Sequence, residues 1–207
     1  MKKIIFLLFL FFAITSFAQI NNVKPEKEIK NFKLKATDNK KYSLDNIKAA
    51  KGFIIVFNCN KCPMAKLYSQ RLNQLSDKFK TKNVYLMAIN SMDTLAYKEE
   101  NFALMQKRAK TEKFNFPYLQ DKSQKIAKQF GATHTPQAYV IWKDIFGRWI
   151  VKYEGAIDDR ALLASSVTNK YLETAVDELL ANKIVTNPFI KSSGCRIYYR
   201  GEIAVMD

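Results

Sequence analysis

The sequence predicts an α/β fold, a three-layer sandwich built on a mixed β-sheet. Two continuously apolar, β-branched segments, GFIIVFN and VYLMAIN, are each followed by a segment of helical periodicity, as in parallel strands joined by crossover helices. Two further strand-like segments, QAYVIW and RWIVKYEG, are separated only by KDIFG and fit an antiparallel hairpin at a sheet edge. The amphipathic segment YLETAVDELLANK then closes the fold.

The first residues predict export. The chain begins MKKIIFLLFLFFAITSFAQ, two lysines and an apolar run that ends with the small residues Ser16 and Ala18. This is the pattern of a secretory signal over residues 1–18, cleaved before Gln19. An uncleaved membrane anchor is the alternative, but this run is shorter than the roughly 20 apolar residues that span a bilayer. We therefore expect a periplasmic protein with no stable membrane anchor after cleavage.

The composition indicates a globular protein, with 48% hydrophobic and 26% charged residues in a chain of 207. The formal net charge is +15 at pH 7. Because the lysines are scattered and are not interleaved with aromatic residues in one patch, nucleic acid is not an expected partner.

Beyond the signal, the chain divides into a polar leader (19–28), one domain (29–182) and an irregular tail (183–207) that carries Cys195. The domain starts with NFKLKA, which alternates like a half-buried strand. After the turn TDNKK, YSLDNIKAA reads as a short strand passing into a short helix. Further helices are predicted over residues 63–80, over 94–113, and over KSQKIAKQFG, which ends at a glycine.

Cys59 and Cys62 lie where the first buried strand gives way to a helix, in CNKCP. A thiol at such a junction meets unpaired backbone N–H groups and the positive end of the helix dipole, which favour the reactive thiolate. Lys61 adds a nearby positive charge. We therefore predict that Cys59 attacks a disulfide and that Cys62 resolves the mixed disulfide. This chemistry requires Cys59 to ionise near neutral pH and to be open to the incoming disulfide.

A zinc site is the other interpretation of a CxxC pair. No second pair follows at comparable spacing, although Cys59, Cys62, His134 and Cys195 would complete a Cys3His ligand set. The context of strand, CxxC and helix already explains the pair as a redox site, and export permits disulfides. We therefore expect no metal and no other cofactor.

A later Thr-Pro supports the redox interpretation. In THTPQAYV a proline directly precedes a strand, where the Thr135–Pro136 peptide could be cis. Strand, CxxC and helix, followed by Thr-Pro, a hairpin and a closing helix, resemble the thioredoxin fold. The resemblance implies that Pro136 is the cis-proline lying against the cysteine pair, and that Thr135 and Pro136 shape the groove for the substrate backbone.

The predicted N-terminal hairpin and an extra βα unit between the helix at 63–80 and Pro136 resemble the redoxin branch of that fold. This branch holds the TlpA/ResA-like thiol oxidoreductases and the AhpC/TSA peroxiredoxins. More narrowly, CNKCP, TPQAYV, YEGAIDD and the Gly-Cys at 194–195 are similar to a subgroup with a CNxCP site and a C-terminal Gly-Cys. The similarity covers roughly residues 29–197 and implies an oxidoreductase that exchanges protein disulfides and is supplied by an upstream thiol donor.

The chain also departs from these relatives. Asn58 replaces the tryptophan usual before a thioredoxin CxxC, Lys61 replaces the subgroup's histidine, and Phe53 replaces a buried carboxylate, which leaves no identified proton acceptor for Cys62. The peroxiredoxin P-x-x-x-T-x-x-C loop is absent from residues 53–62. Two alternatives stay open: a thiol peroxidase of the AhpC/TSA type, and a Sco-like copper-binding chaperone.

Two further residues near these motifs have open roles. His134 adjoins the Thr-Pro and either tunes the thiolate, binds a metal or has no role. Cys195 is either a buried inert thiol or a third redox cysteine, which would pair with Cys59 if the tail folds back on the site.

The acidic residues after the hairpin have a structural interpretation. Asp158 and Asp159 precede RALLAS and are interpreted as a helix N-cap and a first-turn acid. Glu154, on the preceding strand, is expected to face solvent.

Overall fold

The computed structural model describes residues 26–202. The predicted signal, its cleavage site, most of the polar leader and the last five residues lie outside the described residues. Between residues 26 and 202, no helix has the length and apolar character needed to cross a membrane.

The described residues form eleven strands and five α-helices. The strands are β1 (Glu28–Ile29), β2 (Lys33–Ala36), β3 (Lys41–Ser43), β4 (Gly52–Phe57), β5 (Val84–Asn90), β6 (Tyr118–Gln120), β7 (His134–Thr135), β8 (Gln137–Lys143), β9 (Trp149–Gly155), β10 (Phe189–Ile190) and β11 (Cys195–Arg196). The helices are α1 (Pro63–Leu67), α2 (Ser69–Lys80), α3 (Phe102–Thr111), α4 (Lys125–Phe130) and α5 (Tyr171–Leu180). Short 3-10 turns cover Leu44–Asn46, Lys98–Glu100 and Ala164–Ser166.

The main sheet is mixed and has the strand order β1-β9-β8-β4-β5-β6-β2-β3. β4 lies inside this sheet, parallel to β5 and antiparallel to β8. All six residues of β4 are buried, because helices or loops cover both faces of a central strand. The two strands predicted as fully buried are therefore neighbours in the sheet.

Alternate residues of β4 enter two different cores. Phe53, Ile55 and Phe57 pack with Phe130 of α4 on one face. Ile54 and Val56 pack on the other face with the apolar sides of α2 and α5, since successive side chains of a strand point to opposite faces. The predicted three-layer α/β sandwich is confirmed.

The N-terminal hairpin and the inserted unit are both present. β2 and β3 pair antiparallel, and β2 joins the main sheet through β6. The inserted unit contains α3 and β6, and β6 is a strand that the sequence pattern does not predict. The helix expected over 94–113 begins only at Phe102, because the side chain of Asn101 accepts the Leu104 N–H at 3.0 Å and caps it.

Three other predictions of secondary structure need correction. The single helix expected over 63–80 is divided at Tyr68, whose dihedral angles (φ −90°, ψ −6°) end α1 and precede α2. The hairpin β8–β9 does not lie at the sheet edge, because β1 and β10 both pair with the outer side of β9. The tail is not wholly irregular, because it contributes β10 and β11.

The acidic residues after the hairpin do not begin an α-helix. Asp158 instead forms a buried ion pair with Arg71, with 2.5 Å between Oδ2 and Nη1, and accepts the Tyr68 hydroxyl at 2.9 Å. Asp159 accepts the Thr168 N–H at 3.1 Å, within its own loop. Glu154 is buried, not solvent-facing, and accepts the Gln137 side-chain amide at 3.2 Å. These carboxylates fix loops and strands to the sandwich.

Candidate functional site

The cysteine pair lies at the C-terminal end of β4. Cys59 follows the strand by two residues, and Cys62 occupies the N-cap position of α1, whose first residue is Pro63. Proline at that position suits a helix start, where its missing N–H has no partner to lose. The helix therefore begins at Pro63, as predicted, and the cysteine at its N-terminus is Cys62, whereas Cys59 lies in the turn before it.

Thr135 contacts both sulfurs. The Thr135–Pro136 peptide bond is cis, and Thr135 is fully buried. Its hydroxyl oxygen lies 3.0 Å from Cys59 Sγ, and its carbonyl oxygen accepts the thiol of Cys62 at 3.1 Å. The loop that precedes β8 therefore lies directly against the CxxC pair.

The two thiols of the pair are hydrogen-bonded to each other and titrate as a unit. That bond lowers the pKa of Cys62 to about 4. The same bond, together with burial, raises the pKa of Cys59 well above its usual value. Cys62 is thus the readier of the two thiols to ionise and Cys59 holds its proton, which is the reverse of the expectation that Cys59 ionises near neutral pH.

Glu100 holds the turn between the two cysteines. Its carboxylate is 1% exposed and accepts the backbone N–H groups of Asn60 at 2.6 Å and Lys61 at 2.9 Å. It also accepts the side-chain amide of Asn90 at 2.8 Å. The N–H groups of this turn therefore point at a carboxylate. After the bond to Cys62 and burial, the charge of Glu100 is a further cause of the raised pKa of Cys59.

Arg108 joins the end of β4 to the first helix. Its guanidinium is buried and donates to the Cys59 carbonyl oxygen through Nη1 and to the Ala65 carbonyl oxygen, at 3.1 Å, through Nη2. A planar guanidinium that donates to two carbonyl groups fixes their relative position more rigidly than a single donor would. Arg108 therefore positions the backbone on both sides of the pair.

The two residues expected to tune the thiolate are placed as follows. The Lys61 ammonium lies at the surface and pairs with Glu99 at 2.6 Å. His134 lies on β7, with Nδ1 2.8 Å from the Thr133 hydroxyl oxygen. These polar contacts of Lys61 and His134 are therefore with Glu99 and Thr133, and not with the sulfur of Cys59 or Cys62.

The tail covers the pair. β11 pairs antiparallel with β7, so that Cys195 is opposite Thr135 and Arg196 is opposite His134. Gly194 packs so closely on this loop that a Cβ at that position would lie 2.2 Å from the Thr135 carbonyl oxygen. Cys59 is 1% exposed and Cys62 is 2% exposed. The expectation that Cys59 is open to an incoming disulfide is therefore wrong for this arrangement of the tail.

Several side chains anchor the tail beyond β11. Ile197 is buried in the same core as the two cysteines of the pair. The Tyr199 hydroxyl donates to the Ala132 carbonyl oxygen at 2.5 Å, and the Arg200 guanidinium pairs with Asp93 at 2.9 Å. The cover is thus an ordered part of the fold.

The Cys3His ligand set considered from the sequence is not assembled. Among residues 26–202, no group of three or more His, Cys, Asp and Glu side chains is arranged to hold a metal ion. The histidine of that set contacts Thr133, as described above.

Sequence reasoning missed Glu100 and Arg108. Glu100 lies in the charged run KEEN and Arg108 in QKRAK, where both resemble surface residues of a helix. Their partners in the CxxC turn are about forty and fifty positions away. No local pattern in the sequence distinguishes them from their exposed neighbours.

The chain is similar to several known proteins. The model of the AhpC/TSA family matches residues 25–157, whereas no curated protein matches. A hypothetical protein from Sinorhizobium meliloti 1021 has a TM-score of 0.78 at 28% identity, over 88% of this chain and 98% of that one. An uncharacterized conserved protein from Geobacillus kaustophilus has a TM-score of 0.77 at 31% identity, over 88% and 95%.

A more distant structure has a biochemical description. The thiol:disulfide interchange protein of the thioredoxin family from Chlorobium tepidum has a TM-score of 0.55 at 15% identity, over 77% of this chain and 99% of that one. At this identity the likeness concerns the fold. The thioredoxin-like fold that the sequence predicts is confirmed.

Proposed function

The chain belongs to the AhpC/TSA family, within the thioredoxin-like redoxins, and we propose that it is a thiol–disulfide oxidoreductase whose redox pair is Cys59 and Cys62. The observation that carries the proposal is the contact of both sulfurs with Thr135, the residue before the cis-proline. Two adjacent thiols that share a proton at a strand end are poised to cycle between dithiol and disulfide. No cofactor takes part.

In the reducing direction, the Cys59 thiolate attacks one sulfur of a substrate disulfide. A bond forms between Cys59 Sγ and that sulfur, and the other substrate sulfur leaves as a thiolate that takes a proton from water. Cys62 then attacks Cys59 Sγ, and the second substrate thiol leaves. The substrate has gained two electrons, and the protein holds a Cys59–Cys62 disulfide until an upstream thiol donor reduces it.

Thr135 supports the assignment of Cys59 as the attacking sulfur. Its hydroxyl can donate to a Cys59 thiolate, whereas its carbonyl can only accept the proton of Cys62. Because the lowered pKa belongs to Cys62, Cys59 attacks once the remaining proton of the pair passes to Cys62, where the Thr135 carbonyl oxygen accepts it and the Thr135 hydroxyl is left to donate to Cys59. Thr135 and Pro136 then shape the groove for the substrate backbone, which β11 must leave before a protein substrate can enter.

Export is part of the proposal. The first 18 residues have the pattern of a cleaved signal, and the periplasm permits protein disulfides to form and persist. The proposed substrates are therefore disulfides of envelope proteins.

A thiol peroxidase is the second candidate, and the burial of the pair favours it. With the tail in place Cys59 is 1% exposed, and a hydroperoxide is far smaller than a protein disulfide. The Cys59 thiolate would take an oxygen atom from the peroxide and become a sulfenic acid, releasing water or an alcohol. Cys62 would then condense with the sulfenic acid to give the same disulfide and one water molecule.

Parallel assays on one preparation test the proposal. We expect the mature chain to catalyse insulin disulfide reduction by dithiothreitol, and Cys59→Ser to abolish it. Cys62→Ser should accumulate a mixed disulfide with the substrate through Cys59, because the resolving thiol is missing. Rapid peroxide consumption without insulin reduction would replace the proposal by the peroxidase. A mixed disulfide that accumulates on Cys62 in Cys59→Ser, and not on Cys59 in Cys62→Ser, would contradict the assigned roles.

A further inference from the structure

The third cysteine lies beside the redox pair. Cys195 is the partner of Thr135 in the antiparallel ladder between β11 and β7. Residues that are directly opposite in such a ladder have Cα atoms about 4.5–5.5 Å apart. The Thr135 hydroxyl, which lies 3.0 Å from Cys59 Sγ, is also 3.5 Å from the Cys195 carbonyl oxygen. One residue thus contacts all three cysteines.

Cys62 is the central sulfur of the three. The Thr135 carbonyl oxygen that its thiol contacts also faces Gly194, the residue before Cys195, and the nearness of Cys59 and that of Cys195 are among the causes that lower the pKa of Cys62. Its thiol donates to the carbonyl oxygen of Thr135, the residue that β11 pairs with. A sulfur with a cysteine neighbour on each of two chain segments can form a disulfide with either one after a small rearrangement.

The three thiols differ in exposure. Cys59 and Cys62 are buried, whereas Cys195 is partly exposed. A thiol that approaches from solvent while the tail is in place therefore meets Cys195 before it meets the pair. The buried Ile197 and the bonds of Tyr199 and Arg200 keep Cys195 at this position.

We propose that Cys195 is a third redox cysteine, which accepts the disulfide of the pair by forming a Cys62–Cys195 bond and receives the upstream thiol donor. This inference rests on the proposed function and assigns the donor to a different sulfur from the substrate. It also changes the expected partner of Cys195 from Cys59 to Cys62. Substrate disulfides react at Cys59, and electrons enter at Cys195.

The exchange balances without an added oxidant. The Cys195 thiolate attacks Cys62 Sγ of the Cys59–Cys62 disulfide, the Cys62–Cys195 bond forms, and Cys59 leaves as a thiolate that accepts a hydrogen bond from the Thr135 hydroxyl. A donor thiol then attacks Cys195 Sγ, and Cys62 leaves. A second thiol of the donor attacks the resulting mixed disulfide and frees Cys195, so the donor ends as a disulfide and the protein as three thiols.

A pair of single substitutions tests the new bond. We expect Cys59→Ser, oxidised with diamide, to form an intramolecular Cys62–Cys195 disulfide, identified by mass mapping after alkylation under denaturing conditions. Cys62→Ser is the matched control, because it retains Cys195 and a buried partner but lacks the central sulfur. The Cys62→Ser variant should form an internal disulfide at least about tenfold more slowly than the Cys59→Ser variant does. Cys59→Ala repeats the first measurement if the serine variant does not fold.

A second measurement tests the route of the donor. Wild type and Cys195→Ser are oxidised and then reduced with glutathione, and free thiols are counted with time. Cys195→Ser should lose its Cys59–Cys62 disulfide at least about tenfold more slowly, because the remaining sulfurs are covered. Equal rates, or free Cys62 and Cys195 in oxidised Cys59→Ser, would overturn the inference. Neither of those results would contradict the proposed function. That function would be contradicted by a different result, namely a wild-type protein that neither forms the Cys59–Cys62 disulfide nor reduces insulin.

Discussion

The hydroxyl of Thr135 lies 3.0 Å from Cys59 Sγ, although the two residues are 76 positions apart in the chain. The contact exists because β4 and β8 are antiparallel neighbours, with Phe57 opposite Gln137. The end of one strand and the start of the other therefore meet at one side of the sheet. The same register brings the cis-proline and the CxxC pair together.

Removing the Thr135 hydroxyl should weaken the Cys59 thiolate. In a chain whose Cys62 and Cys195 are serine, Thr135→Val should raise the pKa of Cys59 by about 1–2 units, since a hydrogen bond to a charged group contributes about 1.5–3 kcal/mol. The measurement is the pH dependence of alkylation by iodoacetamide. Thr135→Ser keeps the hydroxyl and should leave the profile close to that of threonine. An unchanged profile in the valine variant would show that the hydroxyl does not stabilise the thiolate.

Glu100→Gln should have two effects. The amide can accept only through its oxygen, so the N–H of Asn60 or Lys61 loses its acceptor, and the free energy of unfolding should fall by about 1–3 kcal/mol. The lost negative charge should also lower the pKa of Cys59, because Glu100 is one of the causes that raise it. Urea unfolding and the ultraviolet absorbance of the thiolate report the two effects.

Glu99→Gln is the matched control for this substitution. Glu99 is the neighbouring residue and pairs with the exposed Lys61 at the surface. Glu99→Gln should change the absorbance titration little. It should also lower the free energy of unfolding less than Glu100→Gln does, because exposed ion pairs contribute little to stability. Equal effects of the two substitutions would exclude the special role of Glu100.

Gly194→Ala should uncover the redox pair. Gly194 has φ of +154°, and a Cβ there would meet the Thr135 carbonyl oxygen at 2.2 Å, so β11 must move away from β7. Alkylation of Cys59 and Cys62 should become faster in the folded protein. Gly147→Ala is the control, since Gly147 also has a positive φ, of +79°, but nothing lies within 4 Å of an added Cβ. If both variants react like wild type, β11 is not what covers the sulfurs.

Asp158→Asn should destabilise the fold. The Arg71 and Asp158 side chains are mostly buried and lie 2.5 Å apart, and breaking a buried ion pair costs about 3–5 kcal/mol because one charge stays buried without its counter-charge. Asp159→Asn, a change of the adjacent and more exposed residue, should cost much less. Chemical denaturation of both variants measures the difference. A small loss in Asp158→Asn would show that the ion pair does not hold this loop, since Arg71 keeps its bonds to the carbonyl oxygens of Arg160 and Ala161.

The parts of the fold that the sequence predicts are those with a strong local signal. β4 and β5 are unbroken apolar runs, and Gly131 ends α4 with a left-handed conformation (φ +76°). By contrast, β6 has three residues and β11 has two. These strands exist because other segments offer them pairing partners, and such partners are visible only once the sheet is assembled.

The functional site also divides into residues with a strong local sequence signal and residues whose partners are distant in the chain. CxxC and Thr-Pro are short patterns with a chemical meaning, and both lie at the site. The predicted helix start at residue 63 is confirmed, but the apolar periodicity gives no sign that residues 58–61 turn around Glu100 before α1 begins. A tail that folds back on the site is only one of the two alternatives that the sequence offers for Cys195, since no residue pattern around Cys195 indicates a strand.

One side of β9 is shared by segments from opposite ends of the described chain. β1 pairs with residues 149–150 and β10 with residues 154–155, so the C-terminal end of this strand stays open on its outer side until the polypeptide has been synthesised beyond Ile190. Open strand edges recruit strands from other molecules. A nascent or shortened chain that ends before Phe189 would therefore present a docking edge to its own copies.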